Sequence, residues 1–141
     1  MLDVKQATKV FSAGTASEHH ALNGLNLHLD EGEFVTIIGS NGAGKSTLFN
    51  AICGNYWLDQ GQIFLDGQDI TFLSEHRRAR QIGRVFQDPM KGTAPHLTIE
   101  ENLALAYTRK DRKPFRSAVR KQEKDLFRRE LEKYHMDLEN R

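Results

Sequence analysis

The nine residues Gly39-Ser-Asn-Gly-Ala-Gly-Lys-Ser-Thr47 restrict this chain more than any other stretch. They fit the spacing G-x-x-x-x-G-K-[ST]. A short apolar, β-branched run, Phe34-Val-Thr-Ile-Ile38, precedes them and reads as a buried strand. Residues 45–53 follow as a helix, with Leu48 and Ile52 on one face and Gly54 suited to its end. Strand, glycine loop and helix in that order leave few folds open. The glycines permit backbone angles that turn successive N–H groups inward, making an anion nest. The helix start adds unpaired N–H groups and the positive end of its dipole. Lys45 can then reach the β- and γ-phosphates of a nucleotide, and the Ser46 hydroxyl suits Mg²⁺. Thr47 is placed for the α-phosphate. A plain glycine turn is the rival reading, and pattern and context together set it aside.

The flanking sequence adds strands first and helices later. Residues 2–11 alternate weakly, as an edge strand would, and Ser12–His20 form a polar loop holding two histidines without metal-ligand company. Residues 21–29 alternate clearly through Leu25, Leu27 and Leu29. Residues 62–67 and 82–86 read as two more strands. Ser74 can cap a short helix to Gln81. All 11 glycines lie at or before Gly92, and Pro89, Pro95 and Pro114 mark the change of style. Thr98-Ile-Glu-Glu101 is a capping box opening a helix with Ile99, Leu103 and Ala106 inward. Pro114 suits the first turn of another helix, with Phe115, Val119, Leu126, Phe127, Leu131 and Tyr134 on its apolar face. Asp125 and Arg129 stand at ion-pair spacing. Cys53 reads as a small core residue and Trp57 as a packing residue. The expectation is an α/β body over 1–90 and a helical segment over 91–141.

Bulk chemistry excludes little more. The 141 residues suffice for one domain with a real core, and the mean hydropathy is −0.59. The net charge of +1 does not point to nucleic acid. Charge is uneven, however: residues 109–141 carry 12 Lys and Arg against 7 Asp and Glu, leaving 8 against 12 before them. Such a basic run is most simply a solvated helix face. Cys53 is alone, so no disulfide forms within these residues. The N-terminal sequence lacks the apolar core of a signal peptide, and no stretch approaches the roughly 18 apolar residues of a spanning helix.

The phosphate loop by itself does not choose a reaction. A guanine-reading Asn-Lys-x-Asp is not found. Val85-Phe86-Gln87-Asp88-Pro89, taken with residues 25–54 and Gly61-Gln-Ile-Phe-Leu-Asp-Gly-Gln-Asp-Ile70, strongly resembles the ATP-binding cassette (ABC) ATPases. The resemblance runs from Lys5 to about Tyr107, and more loosely through the final helix. It implies a P-loop NTPase: an incomplete RecA-like core, an antiparallel β-subdomain and the start of the helical subdomain. It implies ATP and Mg²⁺ as ligands, with Gly39, Ser40, Asn41, Gly42, Ala43, Gly44, Lys45, Ser46 and Thr47 around the phosphates. Gln87 falls at the family's Q-loop glutamine, which contacts Mg²⁺ and water; Lys45 and Gln87 are the expected catalytic groups, and Ser46 and Gln87 the expected metal ligands. Phe11 falls where the family has an aromatic stacked on adenine, typically Tyr; a Phe can still stack.

By the same resemblance, the expected activity is ATP hydrolysis driving solute movement. The expected partners are a second ATPase subunit, identical in a full-length homodimer, and transmembrane permease subunits. The expected location is cytoplasmic, peripheral at the inner face of the cell membrane, with residues 86–97 near the permease. Finer likeness is to bacterial uptake cassettes for aromatic amino acids or related solutes. Three family features are absent: the LSGGQ signature, a Walker B strand ending Asp-Glu, and the switch histidine after it. Ile63-Phe64-Leu65-Asp66 is followed by Gly67 and reads as a turn; His96 and His135 precede any such point. The expectation is an N-terminal fragment that binds Mg-ATP weakly and does not turn it over, with an exposed sheet edge prone to self-association. A soluble ABC ATPase of DNA repair or translation is one alternative; the helix from Pro114 lacks the sustained heptads of a repair coiled coil. A non-catalytic interaction fragment is the other.

Overall fold

The computed structural model describes residues 1–108 and 119–134. The chain divides into two compact units, Met1–Ile82 and Gly83–Arg141. Pro114, Phe115 and His135 lie outside the described residues.

The first unit is built on a four-stranded antiparallel sheet. Its strands are β1 (Leu2–Phe11), β2 (His19–Leu29), β3 (Gln60–Leu65) and β4 (Gln68–Asp69), in the order β2-β1-β3-β4. β1 is therefore an interior strand, not the edge its weak alternation suggested. The reason is a break in its period. Gln6 has φ 49, and the register with both neighbours shifts there. One extra residue lets Val4 and Ala7, three apart, share the buried face. The opposite strand accommodates it with Gly61, where a Cβ would overlap the carbonyls of Lys5 and Gln6. The freed Gln6 N–H donates to Asn26 Oδ1 at 2.9 Å. β2 starts at His19, so both histidines belong to the strand, where they are exposed, and not to the preceding loop.

α1 (Lys45–Cys53) lays Leu48, Ala51 and Ile52 on this sheet. Val4, Ala7, Leu22, Leu58, Ile63 and Ile70 complete the core. Gly54 ends the helix at φ 90, its N–H donating to the carbonyls of Asn50 and Ala51. Asp66 and Gly67, both at positive φ, make the tight β3–β4 turn that Asp-Gly favours. Asp66 Oδ1 also accepts from the Met1 amine at 2.7 Å, so this aspartate is a turn residue. α2 is only Glu75–Arg78; Ser74 precedes it, but its hydroxyl pairs with His76 Nδ1 at 3.0 Å and not with the helix N–H groups.

Two expected strands are not formed. Residues 34–38 and 82–86 join no sheet, and Phe34, Ile38 and Val85 are 90%, 90% and 97% exposed. A run that is apolar on both faces is stable as a strand only with partners on both edges and cover above and below. No described strand pairs with either run, so the local preference goes unrealised; Ile37 and Ile82 alone reach the core. Trp57 is likewise 59% exposed, touching Phe72 edge-to-face, and is not a packed core residue.

Among its described residues the second unit holds a 3₁₀ turn at Pro89–Lys91 and two helices, α3 (Ile99–Thr108) and α4 (Lys121–Glu132). The capping box forms as expected: Glu101 N–H donates to Thr98 Oγ1 at 3.2 Å and Thr98 N–H to Glu101 Oε2 at 2.8 Å. Ile99 and Leu103 are half-buried, whereas Ala106 is exposed. Phe127 is the buried residue of α4, its ring 5.8 Å from that of Tyr107, and Lys124 pairs with Glu100 at 2.8 Å. Arg129 does not meet the Asp125 carboxylate as its spacing suggested; its Nε donates to the Asp125 carbonyl at 3.2 Å.

Candidate functional site: the glycine loop before α1

Residues 39–44 leave the unpaired run 34–38 and turn into α1. Ala43 N–H donates to the Ser40 carbonyl at 3.2 Å, closing a turn over Asn41 and Gly42. Gly42 has φ 86 and open space around its Cα. Gly44 has φ 84, and a Cβ on it would overlap the carbonyl oxygen of Ala21 in β2. Both angles lie in the left-handed region that glycine enters freely. Gly44 also occupies the position that caps α1, and its side-chain hydrogen offers no acceptor.

That local choice leaves the front of α1 electrostatically open. No side chain caps it, and no acidic residue stands in its first turn. α3 solves the same problem with Thr98 and Glu101. The first N–H groups of α1 thus retain their capacity for an outside acceptor, at the positive end of the helix dipole. Lys45 is the nearest cation. Its ammonium folds back over the loop, donating to the Gly39 carbonyl at 2.6 Å and the Ser40 carbonyl at 2.7 Å. Ser46 is exposed and Thr47 half-buried, both on the first turn. Loop glycines, the uncapped N–H groups of α1, an ammonium and two hydroxyls thus stand together here.

The strand pair brings Phe11 towards the same side. Phe11 pairs with His19, two residues along β2 from Ala21, which touches Gly44. Two strand residues span roughly 7 Å. The Phe11 ring is half-buried, 5.4 Å from the Tyr56 ring and 5.7 Å from Lys9 Nζ. Gln87 lies in the second unit and is exposed. It follows Arg84, whose guanidinium stacks 4.6 Å from the Phe86 ring centroid, and precedes Asp88, whose carboxylate accepts from Met90 N–H at 3.0 Å.

Sequence reasoning missed two groups. One is the Ala21 carbonyl, whose closeness makes glycine obligatory at position 44. The other is Arg78, 2% exposed and bonded to the far end of α1. Arg78 falls in the short helix expected to run to Gln81, and nothing in the order of residues singles it out.

Comparison with known proteins shows the family. The profile of the family described as "ABC transporter" matches residues 22–140. The Tyrosine transport ATP-binding protein of Clostridioides difficile (strain R20291) is 46% identical over 106 residues, covering 75% of this chain and 42% of that protein. The Spermidine/putrescine import ATP-binding protein PotA of Haemophilus influenzae (strain 86-028NP) is 38% identical over 104 residues, covering 74% of this chain and 26% of its own length. Among solved structures, the ATP-binding cassette MJ0796 bound to ADP and Pi superposes with a TM-score of 0.73 at 29% identity, over 94% of this chain and 57% of that one. The chain thus spans less than half the length of these two curated relatives. With a matching profile over most of its residues and an α/β fold with an antiparallel sheet, this chain belongs to the ABC transporter family and forms part of its P-loop ATP-binding cassette.

Proposed function

We propose that this chain is the nucleotide-holding front portion of the ATP-binding subunit of an uptake transporter. The observation that carries the reading is the uncapped start of α1 behind Gly42 and Gly44, with Lys45 poised over the loop. Gly39, Ser40, Asn41, Gly42, Ala43 and Gly44 surround the phosphates, and the N–H groups of Lys45, Ser46 and Thr47 face them. Lys45 exchanges two loop carbonyls for phosphate oxygens. Mg²⁺, when bound, neutralises phosphate charge and orients the terminal group; Ser46 Oγ is the first-turn hydroxyl suited to it, with Gln87 as the second candidate ligand. Phe11 offers its free ring surface to the base.

These residues include no LSGGQ and no apolar strand ending Asp-Glu. The groups that position water and close over the terminal phosphate therefore come from elsewhere in an assembled ATPase, and this stretch alone binds Mg-ATP weakly without turning it over. A second cassette and membrane-spanning permease subunits are the partners of that assembly, at the cytoplasmic face of the membrane. Among the described residues no helix is long and apolar enough to cross a membrane. The relatives' names, tyrosine transport and spermidine/putrescine import, favour uptake of small organic cations or amino acids, the aromatic ones first.

Titration of the full chain with a fluorescent ATP analogue tests the reading, with and without Mg²⁺. Binding that Lys45→Ala weakens about tenfold or more supports it, a loss on the scale of a charge-assisted contact. Binding indifferent to Lys45 sinks it and leaves a non-catalytic interaction fragment as the reading to pursue.

A further inference from the structure

The rear end of α1 is closed by a buried cation. Arg78 Nη1 donates to the carbonyls of Ala51 at 2.7 Å and Ile52 at 2.9 Å. Nη2 donates to the Thr71 carbonyl and Nε to the Leu73 carbonyl, each at 2.8 Å. Ala51 and Ile52 belong to the last turn, whose carbonyls lack partners inside the helix. A cation there also opposes the negative end of the helix dipole. The planar fork of a guanidinium fixes both the position and the tilt of what it holds, which a single ammonium cannot do. Gly54 is matched to it: a Cβ at that position would stand 3.1 Å from Arg78 Nε. Thr71, the other anchor, is itself pinned, its hydroxyl accepting from Ile63 N–H at 2.9 Å and donating to Asp69 Oδ1 at 2.6 Å. Arg78 thus ties the end of α1 to the sheet through β3 and β4.

The front of the same nine-residue helix is the phosphate loop, about 13 Å away at 1.5 Å per residue. Leu48, Ala51 and Ile52 pack on the sheet between the two ends, and no glycine or proline interrupts them. We propose that Arg78 is a positioning residue for phosphate binding: its four carbonyl contacts set the tilt of α1, and through it the placement of Gly44–Thr47. The proposal rests on reading residues 39–47 as the nucleotide cradle. The competing role is a merely structural one, in which Arg78 fills a polar hole and changes only the folded fraction.

The test uses the full chain, ¹⁵N-labelled, as wild type, Arg78→Lys and Arg78→Gln; the glutamine keeps an amide donor for the helix carbonyls should lysine prevent folding. Amide shifts are recorded without nucleotide, and affinity for the fluorescent ATP analogue is measured on the folded population, alone and combined with Lys45→Ala. Expected are shifted amides at Gly44–Thr47 as well as at Ala51–Gly54, and an affinity loss of about tenfold, the scale on which sub-ångström misplacement acts. Lys45→Ala then weakens the Arg78 variants only about twofold, because both changes spoil one constellation. Shifts confined to Ala51–Gly54, unchanged affinity, or losses that multiply overturn the proposal. If the wild type binds no nucleotide, the cradle reading fails, and the amide shifts still decide whether Arg78 sets the loop.

Discussion

Lys45 Nζ lies 2.6 Å from the carbonyl oxygen of Gly39, six residues before it, and so holds closed the loop it is meant to serve. A second contact, to Ser40, doubles the restraint. Without Lys45, amides of Gly39–Ala43 should exchange faster with solvent, by about twofold to tenfold for contacts worth about 0.5–1.5 kcal/mol. Hydrogen exchange on Lys45→Ala, without nucleotide, checks this; unchanged protection would show that the loop holds itself.

Gly44→Ala should destabilise the chain by about 2 kcal/mol or more. Left-handed backbone costs an L-residue about 1–2 kcal/mol, and here the new methyl also overlaps the immovable carbonyl of Ala21. Gly32→Ala, at φ 77 with nothing within 4 Å, meets the first cost only, about 1 kcal/mol. Urea denaturation of the pair separates steric overlap from backbone strain.

His28 stands across β1 and β2 between two carboxylates, its Nδ1 2.6 Å from Asp3 and its Nε2 3.3 Å from Asp30. The hydrogen bond it donates to Asp3 raises its pKa first and that to Asp30 next; the His28–Asp3 bond lowers the pKa of Asp3. A raised histidine contributes stability that is full below its unfolded pKa of about 6.5 and is lost as pH climbs through the higher folded value. The lowered Asp3 contributes above its unfolded pKa of about 3.9 and loses that contribution as pH falls through its folded value. Asp3→Asn should bring the His28 titration, followed by NMR of the ring protons, back towards the ordinary range. An unmoved midpoint would remove Asp3 as the cause.

Asn102 closes the loop before α3. Its Oδ1 accepts from Ala94 N–H at 2.8 Å, and its Nδ2 donates to the carbonyls of Ala94, Leu97 and Thr98 at 3.0–3.1 Å. Asn102→Ala should free the Ala94 amide to exchange, for about 1–3 kcal/mol of lost local stability. Asn102→Asp keeps the acceptor, so protection of that one amide should survive while the carbonyl contacts are lost.

Trp57 is the chain's sole tryptophan and makes a direct optical probe. Its exposure predicts emission at the long-wavelength end and ready quenching by acrylamide. A blue-shifted, protected indole would show that the aromatic surface of Trp57 and Phe72 is covered in solution.

What could be read from the order of residues is what neighbouring residues decide. Gly54 ends a helix because its own φ permits it, Asp66-Gly67 turns a hairpin, and Thr98 and Glu101 cap each other across three residues. The glycine loop is of this kind, since its N–H groups, its lysine and its hydroxyls all lie within nine residues. Other features rest on groups far apart in the chain. Residues 34–38 look like a strand but stand free, because a strand's hydrogen bonds belong equally to its neighbours. Gln6 breaks the alternation of β1 opposite Gly61, 55 residues away, which hides the strand's interior place in the sheet. Arg78 is an unremarkable member of a basic run until folding sets it under Gly54, where four main-chain carbonyls replace water. The order of residues is thus enough to show that a glycine loop opens a helix; what holds that helix in place emerges only on folding, because a carbonyl is present at every position and the fold alone says which ones converge.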